Sequence, residues 1–261
     1  MNILETICAR KRLEVARQKD AVSLSHLRNL LHVWAHEKIS FRQSLADSPP
    51  GIVAEFKRRS PSKGWIHPNA CVETIVKEYE DAGAAAISVL TDESFFGGSF
   101  SDFKKARKAV TKIPILRKDF IVDAYQIYQS KVLGADVVLL IAACLTKEES
   151  LQFSAIAHEL DMEVLLEIHN RDELDYIQPL VDVVGINNRN LKTFDTDVQC
   201  SLDLAHPIPD EYFKISESGL SDPATIKHLL VEGFNGFLMG EIFMKKDHPG
   251  QALQEFITHF D

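Results

Sequence analysis

Glu55 and Lys57 are the first residues of this chain whose types and spacing suggest chemistry, because they stand at the end of a short apolar segment. The segment Ile52-Val53-Ala54 is apolar and contains β-branched residues, which predicts a buried strand. Side chains two residues apart on a strand point to the same side. We therefore expect a carboxylate and an ammonium group to project together from one strand end. An ordinary solvated strand end followed by a turn is the alternative interpretation.

The loop that follows these two residues suits a phosphate group, because it is basic, rich in hydroxyls and closed by a glycine. It contains Ser60, Ser62, Lys63 and Gly64. The chain as a whole carries a formal net charge of −9, so it lacks the excess of Lys and Arg that general affinity for nucleic acid or an anionic membrane requires. A local basic loop in an acidic protein indicates a small anionic ligand.

Other features of the sequence argue against several classes of protein. The four cysteines are widely spaced and form no CxxC pair, which favours free thiols over disulfides. The ten histidines show no HxH or HExxH spacing, so we expect no metal. Neither a signal-peptide pattern nor a long apolar run is present, and we expect a soluble, cytoplasmic protein without a membrane partner.

From Ile52 onward, short apolar runs alternate with longer amphipathic stretches, which is typical of a parallel sheet covered by helices on both faces. The runs are Ile52–Glu55, Ala85–Leu90, Ile113–Leu116, Val137–Ile141, Val164–Glu167, Val183–Asn187, Phe213–Ser216 and Gly236–Met239. Eight such units in a chain of this length predict an α/β fold, a closed (β/α)8 TIM barrel. An open doubly wound sheet is the competitor, although its GxGxxG fingerprint is absent.

Residues 1–48 differ from the rest, since apolar residues at helical spacing alternate with dense charges until Ser48-Pro49-Pro50 ends the pattern. We predict an N-terminal helical extension that packs on the barrel, with residues 1–261 forming a single barrel domain. A mobile arm is the alternative interpretation of this segment.

Six of the eight predicted strands end in polar or charged residues. Active sites of such barrels are built at the carboxyl ends of the strands, so these side chains should converge on one mouth. They are Glu55 and Lys57, Lys118, Glu167, Asn187 and Arg189, Glu217 and Ser218, and Glu241 after Gly240. A single charge at a strand end is usually solvated, and barrel mouths are polar in general. The pattern therefore indicates an enzyme without naming a reaction.

Phosphate and an aromatic ring are the two ligand groups that this end of the barrel would suit. Ser218-Gly219 and Gly240 occupy the usual phosphate position of these barrels, where glycine and backbone N–H groups let a dianion approach closely. The candidates for an apolar wall beside the charges are Phe95, Phe96, Phe120 and Leu139. Simple turns and ordinary core residues are the alternatives. Together the two features predict a phosphosugar that carries an aryl group.

Segments in every predicted barrel unit resemble one family, the indole-3-glycerol phosphate synthases of tryptophan biosynthesis. The matching segments are AEFKRRSPSKG at 54–64, ISVLTDESFFGGS at 87–99, LRKDFIVDAYQI at 116–127, GADVVLLIAACL at 134–145, LLEIHNRDEL at 165–174, VGINNRNLKTF at 184–194, SESGLSD at 216–222 and GFLMGEIFM at 236–244. They occur in the family's order. Phe56 and Arg59 depart from the pattern, since the family often has isoleucine and alanine there, and Arg59 alters the charge beside the phosphate loop.

The resemblance implies closure of 1-(2-carboxyphenylamino)-1-deoxyribulose 5-phosphate to indole-3-glycerol phosphate, a carboxy-lyase reaction that releases CO₂ and water and needs no cofactor. The catalytic residues that it implies are Glu55, Lys57, Lys118, Glu167, Asn187 and Glu217. Lys118 would act as the acid toward the sugar ketone, and Glu167 with the lysines would serve later proton transfers. Glu55 would stabilise positive charge on the nitrogen. Which lysine acts in which step stays open.

The resemblance also implies which residues bind the phosphate, the sugar and the anthranilate ring. They are Ser60, Phe96, Phe120, Leu139, Arg189, Ser218, Gly219, Gly240 and Glu241. The partner is a small phosphosugar, and other enzymes of the pathway are further candidates. One alternative is the related isomerase one step earlier, which relies on a cysteine at the end of its first strand. Another is a barrel that only binds a phosphorylated metabolite, and the full charged set argues against both.

Overall fold

The computed structural model of the chain describes residues 3–31, 37–190 and 193–260. The described residues form parallel strands that close into an eight-stranded barrel: β1 Ile52–Phe56, β2 Ala86–Leu90, β3 Ile115–Lys118, β4 Val137–Ile141, β5 Glu163–Ile168, β6 Val183–Asn187, β7 Phe213–Glu217 and β8 Gly236–Met239. Each strand pairs with its neighbours in the chain, and β8 pairs with β1 to complete the ring. The predicted (β/α)8 barrel is therefore confirmed, and the open sheet was the wrong alternative.

Helices precede the barrel and connect its strands. The described helices are α1 Ile3–Ala21, α2 Leu24–Leu30, α3 Phe41–Asp47, α4 Val72–Asp81, α5 Glu93–Phe96, α6 Phe100–Ala109, α7 Ala124–Leu133, α8 Lys147–Glu159, α9 Gln199–Ala205, α10 Pro223–Val231, α11 Glu241–Met244 and α12 Pro249–Ile257. The segment after β5 is a 3₁₀ helix, Arg171–Tyr176, and Pro179 disfavours the extension of helical backbone beyond it. A hairpin of Arg59–Ser60 and Gly64–Trp65 forms the loop after β1. In the described residues, no helix combines the length and the apolar character needed to cross a bilayer.

The third strand lies two residues later than the sequence pattern predicted, at Ile115–Lys118 rather than Ile113–Leu116. Pro114 precedes the strand, and proline is confined to such marginal positions because it has no N–H group. The strand continues through Arg117, which is buried and whose five N–H donors all find acceptors within 3.1 Å. A charged side chain is compatible with burial when it is paired and hydrogen-bonded in this way. Lys118 is consequently the last residue of β3, at the carboxyl end of the barrel.

The third helix of the extension lies beneath the amino-terminal ends of the strands. The backbone N–H of Arg42 donates to Glu163, the first residue of β5, at 2.9 Å. The hydroxyl of Ser44 donates to the carbonyl of Ala85, just before β2, at 2.5 Å. Phe41 and Leu45 of the same helix are buried in the main hydrophobic core. This part of the extension therefore closes the end of the barrel opposite the predicted site.

The first helix covers the other end and is fixed there by a buried ion-pair network. Lys11 of α1 is 2% exposed, and its Nζ lies 3.0 Å from a carboxylate oxygen of Asp92 and 3.0 Å from one of Asp119. Asp119 also accepts from Arg117 at 2.9 Å. Because Asp119 follows Lys118 directly, the contact that holds α1 in place is adjacent in the chain to the predicted acid. The described part of the extension is thus packed at both ends of the barrel.

We expect Lys11→Met to lower the free energy of unfolding by about 3–5 kcal/mol, because it removes the buried cation beside Asp92 and leaves Asp119 with Arg117 alone. Lys19→Met is the matched control on the same helix. Lys19 pairs with Asp123 at 2.5 Å with its side chain 43% exposed, so its loss should cost at most about 1 kcal/mol. Denaturant unfolding of the two variants measures the difference, and equal effects would show that the buried network does not anchor α1.

Candidate active site

The predicted site residues lie together around one cavity at the carboxyl end of the barrel. Each barrel strand contributes to its lining, from Glu55 of β1 to Met239 of β8. The predicted residues in this lining are Glu55, Lys57, Ser60, Phe96, Lys118, Phe120, Leu139, Glu167, Asn187, Arg189, Glu217, Ser218, Gly219, Gly240 and Glu241. Phe95, which we also considered for the apolar wall, is not among them. The geometry of the barrel has brought together side chains that are far apart in the sequence.

Lys118 lies at the centre of the charged groups, between two carboxylates. Its Nζ donates to Glu217 Oε2 at 2.6 Å and to Glu167 Oε2 at 3.1 Å. Burial acts to lower the pKa of Lys118, but Glu217, Glu167 and Glu55 outweigh burial and raise that pKa above its ordinary value. The ammonium group is therefore held in its charged form, and a proton is available at this point of the cavity.

Glu167 is held between two cationic side chains. One carboxylate oxygen accepts from Lys118, and the other, Oε1, lies 3.2 Å from His169 Nε2. Burial acts to raise the pKa of Glu167, but Lys118 and His169 outweigh it, with a hydrogen bond from Asn187, and lower that pKa below its ordinary range. Our sequence analysis overlooked His169, although it stands two residues after Glu167. The same-side rule that paired Glu55 with Lys57 would have found it.

Among Lys118, Glu167 and Glu217, the charged form of Glu217 is the least stabilised by its surroundings. Its Oε2 accepts from Lys118, while its Oε1 has no hydrogen-bond partner among the described residues. Burial raises the pKa of Glu217, and Glu167 adds to that rise against the opposing effect of Lys118. Two carboxylates share one ammonium group here, so the carboxylate without a second cation is the one that binds a proton more readily.

Glycine at position 185 is what makes room for the Glu217 side chain. A Cβ atom placed on Gly185 of β6 would lie 2.2 Å from Glu217 Oε1 and 3.2 Å from Leu165. Real Cβ atoms do not approach other atoms so closely, so a larger residue would have to displace the carboxylate. Gly185 is a second feature that the sequence pattern did not reveal.

Glu55 and Lys57 form an ion pair with their side chains on the same side of the chain, as their spacing predicted. The Glu55 side chain packs directly against Gly240, where an added Cβ would lie 2.8 Å from Glu55 Cβ. Gly240 thus allows close packing of a charged side chain, which is a different reason for glycine from the phosphate contact that we expected. Both glycine functions are compatible, because Gly240 also lines the cavity.

Hydroxyl and glycine residues line the side of the cavity next to the hairpin. Ser60 accepts from the backbone N–H of Lys63 at 3.2 Å, which closes the loop after β1. Ser218 and Gly219, after β7, both have left-handed backbone, with φ of 69° and 73°. A serine in this conformation costs of the order of 1 kcal/mol or more, and such residues cluster at ligand sites. Arg59 is turned toward Trp65, with its guanidinium carbon 5.6 Å from the ring centroid, and does not line the cavity.

Apolar residues form another part of the cavity lining, and the helix that carries Phe96 packs against the hairpin. The rings of Phe96 and Phe120 are 5.9 Å apart between centroids, a distance at which aromatic pairs attract each other. Leu139 of β4 completes the predicted wall. Further lining residues were not predicted from the sequence, among them Ile3, Leu4 and Ile7 of α1 and Phe194. The cavity lining therefore combines buried charged groups, an apolar cluster and residues with hydroxyl groups or without a side chain.

Two thiols lie near the cavity without belonging to its lining. The Sγ atoms of Cys8 on α1 and Cys144 after β4 are 2.8 Å apart, and both residues are buried and free. Across residues 3–31, 37–190 and 193–260, no group of three or more His, Cys, Asp or Glu side chains is arranged to hold a metal ion.

The fold and the cavity define the class: this is a (β/α)8 barrel whose carboxyl-terminal mouth carries buried, mutually perturbed acids and bases, the arrangement in which barrel enzymes place their active sites. Residues 4–256 match the sequence model of the family "Indole-3-glycerol phosphate synthase". The chain is 53% identical to the indole-3-glycerol phosphate synthase of Bacteroides thetaiotaomicron, with 98% of each chain covered. It is 45% identical to that of Neisseria meningitidis serogroup B, over 94% of this chain and 95% of the relative. The chain belongs to the indole-3-glycerol phosphate synthase family.

Solved structures of more distant proteins share the fold. Thiamine phosphate pyrophosphorylase from Pyrococcus furiosus superposes with a TM-score of 0.62 at 14% identity, covering 84% of this chain and 96% of that one. 3-Hexulose-6-phosphate synthase from Salmonella typhimurium gives a TM-score of 0.64 at 11% identity, covering 81% of this chain and all of that one. At such low identity these likenesses concern the barrel alone.

We expect Gly185→Ala to lower the free energy of unfolding by about 1–3 kcal/mol, because the new methyl group overlaps with the Glu217 carboxylate. Adding Glu217→Ala should remove the overlap, so the double variant should be more stable than the sum of the single effects predicts, by at least about 0.5 kcal/mol. Denaturant unfolding of the two single variants and the double variant measures this coupling. Simple additivity would show that Gly185 does not make room for Glu217.

Proposed function

We propose that this protein converts 1-(2-carboxyphenylamino)-1-deoxyribulose 5-phosphate into indole-3-glycerol phosphate, CO₂ and water, a step of tryptophan biosynthesis. The observation that carries the assignment to this cavity is the position of Lys118. Its charged Nζ is held by Glu167 and Glu217 in a cavity that is also lined by aromatic side chains, hydroxyl groups and glycines. The substrate has parts that suit these groups: an aryl group, a reactive ketone and a phosphate.

Ring closure is the first step that the side chains must promote. The aryl carbon that bears the carboxylate attacks the sugar ketone, whose oxygen then needs a proton. Lys118 is the proposed acid, because its proton is retained by the surrounding carboxylates until a stronger base develops on the ketone oxygen. Phe96 and Phe120 would hold the ring in place for this attack, with Leu139 beside them.

Loss of CO₂ follows, and the substrate itself supplies the electron sink. Ring closure leaves an iminium group, which accepts the electron pair of the breaking carbon–carbon bond, so the step requires no added cofactor. Glu55 would stabilise the positive charge on the nitrogen. Lys57, paired with Glu55 at the cavity edge, would face the substrate carboxylate before it leaves.

Removal of the hydroxyl as water requires further proton transfers. Glu167 is suited to act as a base, because its two cationic neighbours keep it ionised, and Lys118 or Lys57 would protonate the leaving hydroxyl. Asn187 and Glu217 would hold the sugar hydroxyls and the lysine. Arg189 would support this arrangement, since its backbone N–H donates to Asn187 Oδ1 at 3.0 Å and its Nη1 to the carbonyl of Phe194 at 3.0 Å.

The phosphate would be bound on the side of the cavity next to the hairpin. Ser60, Ser218, Gly219, Gly240 and the backbone at Glu241 line this side. The Glu241 carboxylate is itself paired with Lys245, which reduces its repulsion of a phosphate.

We place the protein in the cytoplasm, where the other enzymes of the pathway are candidate partners.

Two competing functions are less well supported by these side chains. An isomerase that relies on a cysteine at the end of its first strand would need one where this chain has Glu55 and Lys57. A barrel that only binds a phosphorylated metabolite would have no use for the ammonium group that Glu167 and Glu217 share. The cysteine after β4, Cys144, is buried against Cys8 and does not line the cavity.

We expect Lys118→Ala to reduce turnover by at least about 10²-fold, the effect of removing a general acid. The assay follows indole fluorescence with the carboxyphenylamino sugar phosphate and without added metal or cofactor. Lys147→Ala is the control, since Lys147 makes an exposed ion pair with Asp175 and should not affect the reaction. A fully active Lys118→Ala variant would refute the proposed role.

We expect Glu167→Gln to lower kcat by at least about 10²-fold while KM changes by less than about 3-fold, since the amide keeps the shape of the side chain but cannot accept a proton. Steady-state kinetics of the wild type and the variant separate the two constants. An effect confined to KM would assign Glu167 to substrate binding instead of proton transfer.

A further inference from the structure

His169 is a buried titratable residue that the reaction described above does not use. It directly follows β5, and its side chain is only 8% exposed. Its two ring nitrogens face two different carboxylates: Nε2 lies 3.2 Å from Glu167 Oε1, and Nδ1 lies 3.4 Å from Glu173 Oε2. The imidazole ring therefore bridges a residue of the cavity and a residue of the 3₁₀ helix outside it.

Glu173 is fixed relative to the histidine by contacts of its own. Its Oε2 accepts from the backbone N–H of His169 at 2.7 Å, and its Oε1 accepts from Asn170 Nδ2 at 2.7 Å. Glu173 is itself buried. The outer carboxylate is thus a rigid support, and the position of the ring that it holds determines where Glu167 can place its carboxylate.

The charges around the ring keep it protonated near neutral pH. Burial acts to lower the pKa of His169, but Glu167 and Glu173 outweigh it and raise that pKa to about 9. From α9, Cys200 lies against the carbonyl of His169 at 3.5 Å, and burial raises the pKa of this thiol, so it adds no charge. Lys118 donates to the other oxygen of Glu167, Oε2, and not to the one that lies beside the ring.

In the proposed reaction Lys118 gives its proton to the substrate, so its ion pair with Glu167 does not last through the reaction. Once it turns to the substrate ketone or gives up its proton, Glu167 loses its contact at Oε2 and keeps the one at Oε1. We propose that His169 is a positioning residue, whose imidazolium holds the Glu167 carboxylate ionised and oriented toward the substrate after Lys118 has been engaged. This inference deepens the proposed function, on which it rests.

Removal of the cation should change the acidity of Glu167 as well as its position. An opposite charge within about 4–6 Å lowers the pKa of a carboxyl group by about 1–3 units, so its loss raises that pKa. The acidic limb of the pH dependence of kcat reports protonation of the base in the bound enzyme. A histidine with a structural role alone would affect stability but would leave this limb in place.

The kinetic test compares His169→Leu, which removes both charge and donor, with His169→Gln, which keeps a neutral donor. We expect His169→Leu to lower kcat about 10- to 10²-fold with KM within about 3-fold, and to move the acidic limb of kcat upward by at least about one pH unit. His169→Gln should recover part of the kcat but not the position of the limb. An unchanged limb in a folded His169→Gln variant would overturn the proposal.

The matched control is His158→Leu, because His158 also contacts a carboxylate, that of Asp182 at 2.8 Å, but lies outside the cavity. Its pH profile should coincide with that of the wild type. Circular dichroism and thermal unfolding establish that each variant is folded. A shift of the limb in His158→Leu equal to that in the His169 variants would also contradict the proposal, since the effect would not be specific to the ring beside Glu167.

A measurement without substrate separates this inference from the proposed function. Histidine ring resonances in NMR spectra of the wild type should include one that titrates near pH 9 and that is absent from His169→Gln. In Glu167→Gln this titration should move down by at least about one pH unit, since one of the two carboxylates is lost. An unshifted titration would overturn the pairing whatever the activity. If the titrations confirm the pairing of His169 with Glu167 but the wild type forms no indole product, the proposed function fails while the pairing stands.

Discussion

The balance of charge around Lys118 is the constraint on which the rest of this active site depends. One ammonium group serves two buried carboxylates, those of Glu167 and Glu217, in a cavity where neither charge is fully hydrated. Such a cluster is stable only if the surplus negative charge is compensated. His169 compensates it on the side of Glu167, while burial and Glu167 raise the pKa of Glu217, so two residues of the same type differ in acidity because of their surroundings.

The same strand end also holds the cover of the cavity in place. Asp119, the residue after Lys118, binds both Arg117 of the barrel and Lys11 of the first helix. Three apolar residues at the start of that helix, Ile3, Leu4 and Ile7, line the cavity. A change at this buried network would therefore disturb the placement of Lys118 and the apolar cover together, which couples the stability of the extension to the chemistry of the mouth.

Most of the fold could be predicted because each strand and helix has its own pattern of apolar residues in the sequence. Eight buried strands with helices between them leave a repeating apolar pattern, and only the third strand was displaced appreciably. That displacement has a nonlocal cause: a charged residue such as Arg117 suggests the end of a strand, but acceptors on Thr91, directly after β2, and on α7 satisfy its donors inside the protein. The segment after β5 forms only a short 3₁₀ helix, Arg171–Tyr176, and Pro179 disfavours its extension as helical backbone.

The sequence by itself determined which side chains stand at the ends of the strands, because strand periodicity and barrel topology leave few positions where such charges can be placed. The tertiary structure decided how these side chains divide their charges. Lys118 and Glu217 form a pair although they are 99 residues apart in the chain. The pKa values of Glu167 and Glu217 shift in opposite directions because of such distances between strands. Electrostatic energy depends on distance and burial in three dimensions, and neither can be predicted from the local pattern of residues.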